Sequence, residues 1–168
     1  MRIDMTLHDK NWREEIPDVE TLTEKALEKI RNHPEIALRL NYAPDTEVSI
    51  TLSNDDFIRK LNRDYRDKDK ATNVLSFPMI EEDETALPQH EDIQTVSYGD
   101  IVMAYETISK EASEQKKTIR NHYTHLLVHG FLHLLHFDHE QERQAMEMER
   151  LEAEILSAMN IKNPYETI

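Results

Sequence analysis

Four histidines fall within eleven residues of the chain, in the segment HGFLHLLHFDH from 129 to 139. A neutral imidazole nitrogen binds transition metals, and side chains four residues apart on a helix lie on the same face. His129 and His133 have this spacing, so on a helix they can bind one ion together. His139 follows six residues after His133, and a continuous helix would turn it about 120° away. A bend after the helix must therefore return His139 to complete a metal site.

The spacing His-x3-His-x5-His is that of the metzincin zinc motif. Three protein ligands leave a fourth position for water, which is typical of catalytic zinc. Metzincins place a general-base glutamate directly after the first histidine, whereas this chain has Gly130 there. The missing base argues against a protease. Because glycine inside a helix costs about 1 kcal/mol relative to alanine, we hypothesise that Gly130 opens space beside the metal for a bulky substrate.

A histidine-rich helix without a metal is the alternative interpretation of this segment. The chain has no cysteine, so a transition-metal site must use histidine and carboxylate ligands. The third histidine at zinc-motif spacing and the unusual glycine favour the metal site. His122 and His125 lie on earlier turns and are interpreted as residues that pack in the core or support the ligands, rather than as ligands. His136 points in the wrong direction from the helix to join His129 and His133.

The elements that must position this segment follow from hydrophobic periodicity. Strands are predicted at residues 1–7, 46–53, 74–78 and 100–105, the last directly after Gly99. Helices are predicted at about 18–32, 54–66 with Asn54 as N-cap, 106–117, 119–135 and 140–159. The acidic stretch 81–95 shows no period and is predicted to be an exposed loop. The prediction is a single α+β domain over residues 1–168, with a roughly four-stranded mixed sheet packed against helices and a zincin-like metal-bearing helix.

Net charge narrows the choice of partners. The charge of −14 argues against tight binding to free nucleic acid. Residues 59–70 differ, with six cationic side chains against three aspartates, and they form either a local basic patch or a solvated helix face. No apolar run suits a signal peptide or a membrane span, so a cytoplasmic protein is expected.

Three segments together resemble the YbeY family of bacterial metal-dependent endoribonucleases, which act in ribosomal RNA maturation. HGFLHLLHFDH is similar to the family signature HGxLHLxGYDH, and LNRDYRDKDKATNVLSFP at 61–78 is similar to LNxxYRxxDxPTDVLSFP. A Gly-Asp-Ile-Val strand matches residues 99–102. The segments occur in the order of the family, and the resemblance covers the chain from about 48 to 156.

The resemblance implies that His129, His133 and His139 hold one zinc ion and that Arg66 belongs to the active site. A guanidinium suits that role, since its paired donors match phosphate oxygens and can stabilise transition-state charge. A surface salt bridge with Asp64 or Asp67 is the alternative for Arg66.

The implied function is a single-strand-specific, zinc-dependent endoribonuclease in maturation of the 16S rRNA 3′ end and in ribosome quality control. Its partners would be ribosomal RNA and ribosomal particles, and docking through a ribosomal protein or assembly factor would compensate for the net charge. A metal-dependent hydrolase of another substrate is an alternative. So is a non-catalytic ribosome-assembly module whose zinc braces the fold.

One departure from the family pattern affects the predicted bend. His136 replaces the usual glycine and Phe137 the usual tyrosine. If the helix ends there in a left-handed conformation, His136 carries strain. Alternatively, the His136 side chain adds a ring beside the metal. The general base stays open among Asp138, Glu140 and His136, and either water or the ribose 2′-hydroxyl can serve as nucleophile.

Overall fold

The computed structural model describes residues 1–40, 45–80 and 95–166. Its four strands are β1 (Arg2–Leu7), β2 (Thr46–Ser53), β3 (Val74–Pro78) and β4 (Val96–Ala104). They form one sheet in the order β1-β2-β4-β3. The first three strands of that order are parallel to one another, and β3 runs antiparallel to β4 at the edge. The predicted α+β fold with a four-stranded mixed sheet is confirmed. The predicted acidic loop lies outside the described residues except for Thr95.

The described helices are α1 (Asn11–Glu15), α2 (Val19–Asn32), α3 (Pro34–Leu40), α4 (Asp55–Arg66), α5 (Tyr105–Glu114), α6 (Ile119–Leu134) and α7 (Glu142–Ser157). The five longer helices match the predicted ones. The sequence did not predict α1 and α3, because segments of five and seven residues are too short to show a helical period. Each buries one large side chain, Trp12 in α1 and Ile36 in α3. Among the described residues, no helix has the combined length and apolar character that a membrane crossing requires.

Helices cover both faces of the sheet. Successive side chains of a strand point to opposite faces, and β4 follows this rule. Val102 and Ala104 pack with Ile58 of α4 in the smaller core. Ile101 and Met103 belong to the larger core, which includes most of the buried side chains of α6. The sheet therefore separates α4 from α6.

Gly99 lies inside β4, so the expectation that the fourth strand begins after it is wrong. Its φ is 126°, a conformation that residues with a Cβ rarely adopt. A Cβ at this position would also lie 2.1 Å from the carbonyl oxygen of Phe77 on β3. The pairing of β2 with β4 shifts register nearby, between Glu47 and Ser49. The glycine thus permits an irregular, closely packed stretch within the strand.

Capping side chains define where α4 and α6 begin. As predicted, Asn54 caps α4, and its Oδ1 accepts a hydrogen bond from the backbone N–H of Phe57 at 2.9 Å. Thr118 caps α6 in the same way, with its Oγ1 3.1 Å from the backbone nitrogen of Asn121. At its other end α4 stops at Asp67, whose φ of 56° is left-handed. Arg66 is consequently the last residue of a helix with well-defined ends.

Candidate metal centre

Helix α6 is held against the sheet at Gly130. A Cβ added to this glycine would lie 3.2 Å from Val74 Cγ2 and 3.3 Å from Ile101 Cγ2. The hydroxyl of Ser76 also donates a hydrogen bond to the Gly130 carbonyl oxygen at 2.8 Å. The hypothesis that Gly130 opens space for substrate is therefore wrong. The glycine instead allows α6 to approach β3 and β4 closely.

The structure brings the three predicted ligands together. One ring nitrogen from each of His129, His133 and His139 lies within 4.8 Å of the others. The Nε2 atoms of His129 and His133 are 3.1 Å apart. Tetrahedral zinc, with Zn–N bonds of about 2.0–2.1 Å, places its ligand nitrogens about 3.3–3.4 Å apart. The separation of His129 and His133 is close to this value, and the third nitrogen is near enough for the ring to adjust around an ion. The role of the three histidines as ligands stays a prediction.

A bend after α6 delivers His139. His136 adopts a left-handed conformation with φ of 67°, and Phe137 N–H donates to the Leu132 carbonyl oxygen at 3.1 Å. This pattern is typical of a helix C-terminus that usually carries glycine, so the strain considered for His136 is present. The His136 ring does not join the cluster, because its Nε2 is bound to the carbonyl oxygen of Ile80. Arg39 supports the same bend, with its guanidinium 4.2 Å from the centroid of the Phe137 ring.

A buried carboxylate orients His129. Glu152 of α7 is fully buried, and its Oε1 accepts a hydrogen bond from Nδ1 of His129. Its Oε2 accepts one from the hydroxyl of Tyr165. Burial by itself would raise the pKa of Glu152, but hydrogen bonds from His125, His129 and Tyr165 lower it to about 2. The charged carboxylate fixes the proton of His129 on Nδ1, which leaves the Nε2 lone pair directed at the cluster.

Burial also sets the protonation state of His133. Desolvation, followed by the proximity of His129 and His139, lowers its pKa to about 4. His133 is therefore neutral at pH 7 and retains a lone pair for a metal. His139, by contrast, is exposed. His129 and His139 border an open, solvent-exposed cavity, whose other walls come from α7 and Tyr165. Solvent and small polar groups can reach the cluster from this side.

The two remaining histidines of α6 serve other contacts, as interpreted from the sequence. His122 is buried, and its Nε2 lies 3.1 Å from Oε2 of Glu111. Burial lowers the pKa of His122 despite this carboxylate. His125 places its Nε2 3.2 Å from the hydroxyl of Tyr165. The first of these contacts ties α6 to α5, and the second ties it to the chain after α7.

Arg66 lies at the edge of the sheet, next to β3. Its Nη2 donates to the carbonyl oxygen of Ser76 at 2.9 Å, and its guanidinium lies 5.1 Å from the centroid of the Phe77 ring. Within the described ranges Arg66 makes no salt bridge with Asp64 or Asp67, and Asp64 pairs with Arg63. Arg66 contacts Ser76, which bonds to Gly130, so the arginine is two hydrogen bonds from the metal-bearing helix.

Of the other acid–base candidates, Asp138 is tied to the bend. Its Oδ1 accepts a hydrogen bond from the backbone nitrogen of His139 at 2.7 Å. This bond orders the residue that carries the third imidazole. Glu140 is exposed.

Sequence reasoning missed Glu152 and Tyr165. A signal for Glu152 was present, because it lies on the apolar face of α7 between Met148 and Leu156, four residues from each. A carboxylate in a buried stripe needs a partner. Tyr165 carries no comparable signal, since it lies beyond the last helix and reaches Glu152 only through the fold.

Comparison with known proteins gives consistent results. A family model described as Endoribonuclease YbeY matches residues 6–160. A relative named Endoribonuclease YbeY from Azorhizobium caulinodans is 42% identical over 166 residues, which cover 98% of this chain and 96% of the relative. Another of the same name, from Paramagnetospirillum magneticum, is 41% identical over 157 residues, covering 92% and 89%.

The fold has a counterpart among solved structures. The solution structure of a protein from Thermotoga maritima matches with a TM-score of 0.55 and 22% sequence identity. The match covers 98% of this chain and 96% of the other. At this identity the likeness concerns the fold alone.

Proposed function

The chain belongs to the YbeY family of endoribonucleases, and from this premise we propose that it cleaves single-stranded RNA with one zinc ion. The observation that carries the proposal is the convergence of three imidazoles, one of them oriented by the buried carboxylate of Glu152. Structural metal sites close all four positions with protein ligands, whereas three ligands beside an open cavity leave one position for water or substrate.

The donor set favours zinc. Imidazole nitrogens suit zinc and neighbouring transition metals, and hard ions such as magnesium prefer oxygen ligands. The half-buried, neutral His133 and the Glu152-bound tautomer of His129 both present lone pairs. Bound zinc would supply an activated water or polarise a phosphate oxygen.

We assign Arg66 to the phosphate. A guanidinium has five N–H donors, and the bond to the Ser76 carbonyl oxygen uses one of them. The side chain is exposed, so the remaining donors can bind the oxygens of an incoming phosphodiester. Arg66 would stabilise the charge that develops on the phosphate as the bond breaks.

The first test is metal content, measured by mass spectrometry on untagged protein. We expect about one zinc per chain, as for a three-histidine catalytic site. His133→Ala should lose the zinc and the cleavage of single-stranded RNA. His8→Ala, which removes a histidine bonded to Ser53 outside the cluster, should keep both. A folded His133→Ala protein that still processes RNA would favour the alternative of a zinc-braced assembly module.

The second test separates Arg66 from the metal. Arg66→Ala should keep its zinc and lose cleavage by about 100-fold or more, which is the typical effect of removing one transition-state donor. Arg63→Ala is the matched control, because Arg63 lies on the same helix and pairs with Asp64 at the surface. Equal cleavage by the two variants would remove Arg66 from the mechanism.

The biological substrate we propose is the 3′ end of 16S ribosomal RNA. We further propose that the protein acts in the cytoplasm and takes part in ribosome quality control. The net charge of −14 opposes binding to free RNA. Docking on a ribosomal protein or an assembly factor would bring the site to its substrate. Cleavage of naked RNA should fall steeply between 50 and about 200 mM salt, and cleavage on ribosomal particles should fall less. Equal salt dependence on both would reject the docking step.

A further inference from the structure

An exposed tyrosine and a half-buried phenylalanine meet beside Arg66 at the edge of the sheet. Tyr65 of α4 is 64% exposed. Its ring meets the half-buried ring of Phe77 edge to face, with centroids 5.6 Å apart. The Arg66 guanidinium also lies over the Phe77 ring. We call these three side chains, Tyr65, Arg66 and Phe77, the aromatic edge.

The local packing holds the aromatic edge in place. Phe77 packs against the smaller core between α4 and the sheet, which fixes its ring from below. Arg66 is fixed by its bond to the Ser76 carbonyl oxygen on the outer side of the edge strand. Tyr65 rests on Phe77 but has most of its surface in water. A single exposed aromatic residue is ordinary, whereas a ring that rests on a fixed aromatic–cation pair is a preorganised binding surface.

The aromatic edge is connected to the metal-bearing helix. Ser76 accepts the Arg66 hydrogen bond through its carbonyl oxygen and donates through its hydroxyl to Gly130. Gly130 directly follows His129. Two hydrogen bonds through Ser76 of β3 therefore connect the aromatic edge to the helix that carries the cluster.

The charge around the aromatic edge is favourable for a polyanion. Residues 59–70 carry six cationic side chains against three aspartates in a chain whose net charge is −14. Arg59 and Arg63 are engaged by neighbouring aspartates. Lys60, Lys68 and Lys70 form no salt bridge within the part of the chain that the structure describes. These lysines are available to phosphates.

We propose that the aromatic edge is a subsite on which an unpaired RNA base stacks on Tyr65, while the flanking phosphates face Arg66 and the lysines of residues 59–70. The inference rests on the proposed endoribonuclease function and adds how the substrate is held. Every base offers a π-face for stacking, so the subsite selects unpaired nucleotides without preferring a particular sequence. Bases paired in a duplex are hidden, and the aromatic edge thereby favours single strands.

The test is binding of a fluorescein-labelled 2′-O-methyl oligouridylate, measured by fluorescence anisotropy over a salt series. This probe lacks a free 2′-hydroxyl, and gel electrophoresis checks that it stays intact, so that binding to the metal-loaded protein is followed without cleavage. Tyr65→Ala should raise Kd about 5- to 150-fold, which corresponds to stacking energies of about 1–3 kcal/mol per base. Tyr65→Trp, which keeps a stacking face, should bind within about twofold of the original protein.

The salt series separates stacking from charge. Tyr65→Ala should leave the slope of log K against log salt unchanged, because no phosphate contact is lost. Lys60→Ala should reduce the slope by about 0.7, as expected for one phosphate contact on a single strand. Leu38→Ala removes an equally exposed apolar side chain on α3 and should change neither quantity. Urea unfolding of each variant checks that the fold is retained.

Two outcomes would overturn the proposal: a Tyr65→Ala protein that binds like the original, or a duplex probe that binds as tightly as the single strand. The result is independent of catalysis. If the original protein fails to cleave RNA but Tyr65→Ala weakens binding as expected, the stacking subsite stands and the nuclease assignment falls. If cleavage occurs and Tyr65→Ala binds normally, only the stacking subsite is rejected.

Discussion

Helices α4 and α6 contribute the two halves of the candidate site, and they are held in opposite ways. Helix α6 is buried on nearly all sides, including Phe131, Leu132 and Gly130 around the first two histidines. Helix α4 buries only Ile58 and Asn62, and all of its cationic residues are exposed. Helix α6 lies within the larger core, and α4 packs on the opposite face of the sheet over the smaller core.

The difference separates two tasks. A metal site needs ligands held to fractions of an ångström, and rigid, well-packed elements provide that precision. A surface that binds a flexible polyanion needs charge and accessible faces, which burial would remove. Changes in α6 should therefore act on stability and metal binding together. Changes on the exposed face of α4 should act on RNA and leave the fold intact.

The largest expected effect is the loss of a core side chain from α6. Phe131→Ala should lower the free energy of unfolding by about 3–5 kcal/mol, the usual cost of such a cavity. Phe131 is fully buried and meets the ring of Tyr98 edge to face at 5.7 Å. Tyr65→Ala on α4 should cost less than about 1 kcal/mol, as is usual for exposed positions. Urea denaturation measures both, and comparable losses would contradict the contrast between the helices.

A smaller effect should follow from adding atoms where α6 touches the sheet. Gly130→Val should destabilise the protein by about 1–3 kcal/mol through overpacking, because the added carbons meet Val74, Ser76 and Ile101. Zinc binding should weaken as well, since the helix must move away from β3. Ser113→Val, at an exposed position of α5, controls for the helix propensity of valine. Full zinc affinity in Gly130→Val would show that the ligands tolerate a displaced helix.

Gly130 also illustrates what sequence patterns leave undetermined. The sequence showed that a glycine inside a helix needs a reason, but it could not show which surface lies against it. The reason proved to be contact with β3 and β4, formed by residues distant along the chain. Periodicity, by contrast, predicted all four strands and the five longer helices, because each element buries one regular face.

The candidate site likewise has one part that the sequence predicted and one part that it did not. The convergence of His129, His133 and His139 was predictable, since two lie on one helix and the third required only a bend nearby. The pairing of His129 with Glu152 joins residues 23 positions apart. Such a partner is chosen by the packing of α7 on α6, which no local pattern specifies.

Removing the charge of Glu152 tests that pairing. Glu152→Gln should weaken zinc binding about 10- to 100-fold, the range seen when an outer carboxylate partner of a ligand histidine is lost. Competition with a chelator measures the affinity. At saturating zinc, cleavage should return most of the way, because Glu152 positions His129 and does not contact the substrate. Glu147→Gln removes the same charge from an exposed site on α7 and should have no effect.

The smallest effect concerns the bend that delivers His139. His136→Ala and His136→Gly both remove the ring that binds the Ile80 carbonyl oxygen. They differ in backbone freedom, since alanine keeps the strain of a left-handed φ and glycine relieves it. The glycine variant should be more stable than the alanine variant by about 1 kcal/mol in urea unfolding. Equal stabilities would argue against a left-handed His136 in solution.

The position of the original protein relative to these two variants gives a second result. If it is more stable than His136→Gly, the bond to Ile80 outweighs the strain, and the histidine stabilises a bend that glycine would leave looser. If it is less stable, the strain of the left-handed φ outweighs the bond to Ile80. His136 would then have a functional reason only if the two variants bind zinc more weakly than the original protein. In either case the bend has two attachments: backbone N–H groups donate to the Leu132 carbonyl oxygen of α6, and the His136 ring binds the Ile80 carbonyl oxygen just after β3.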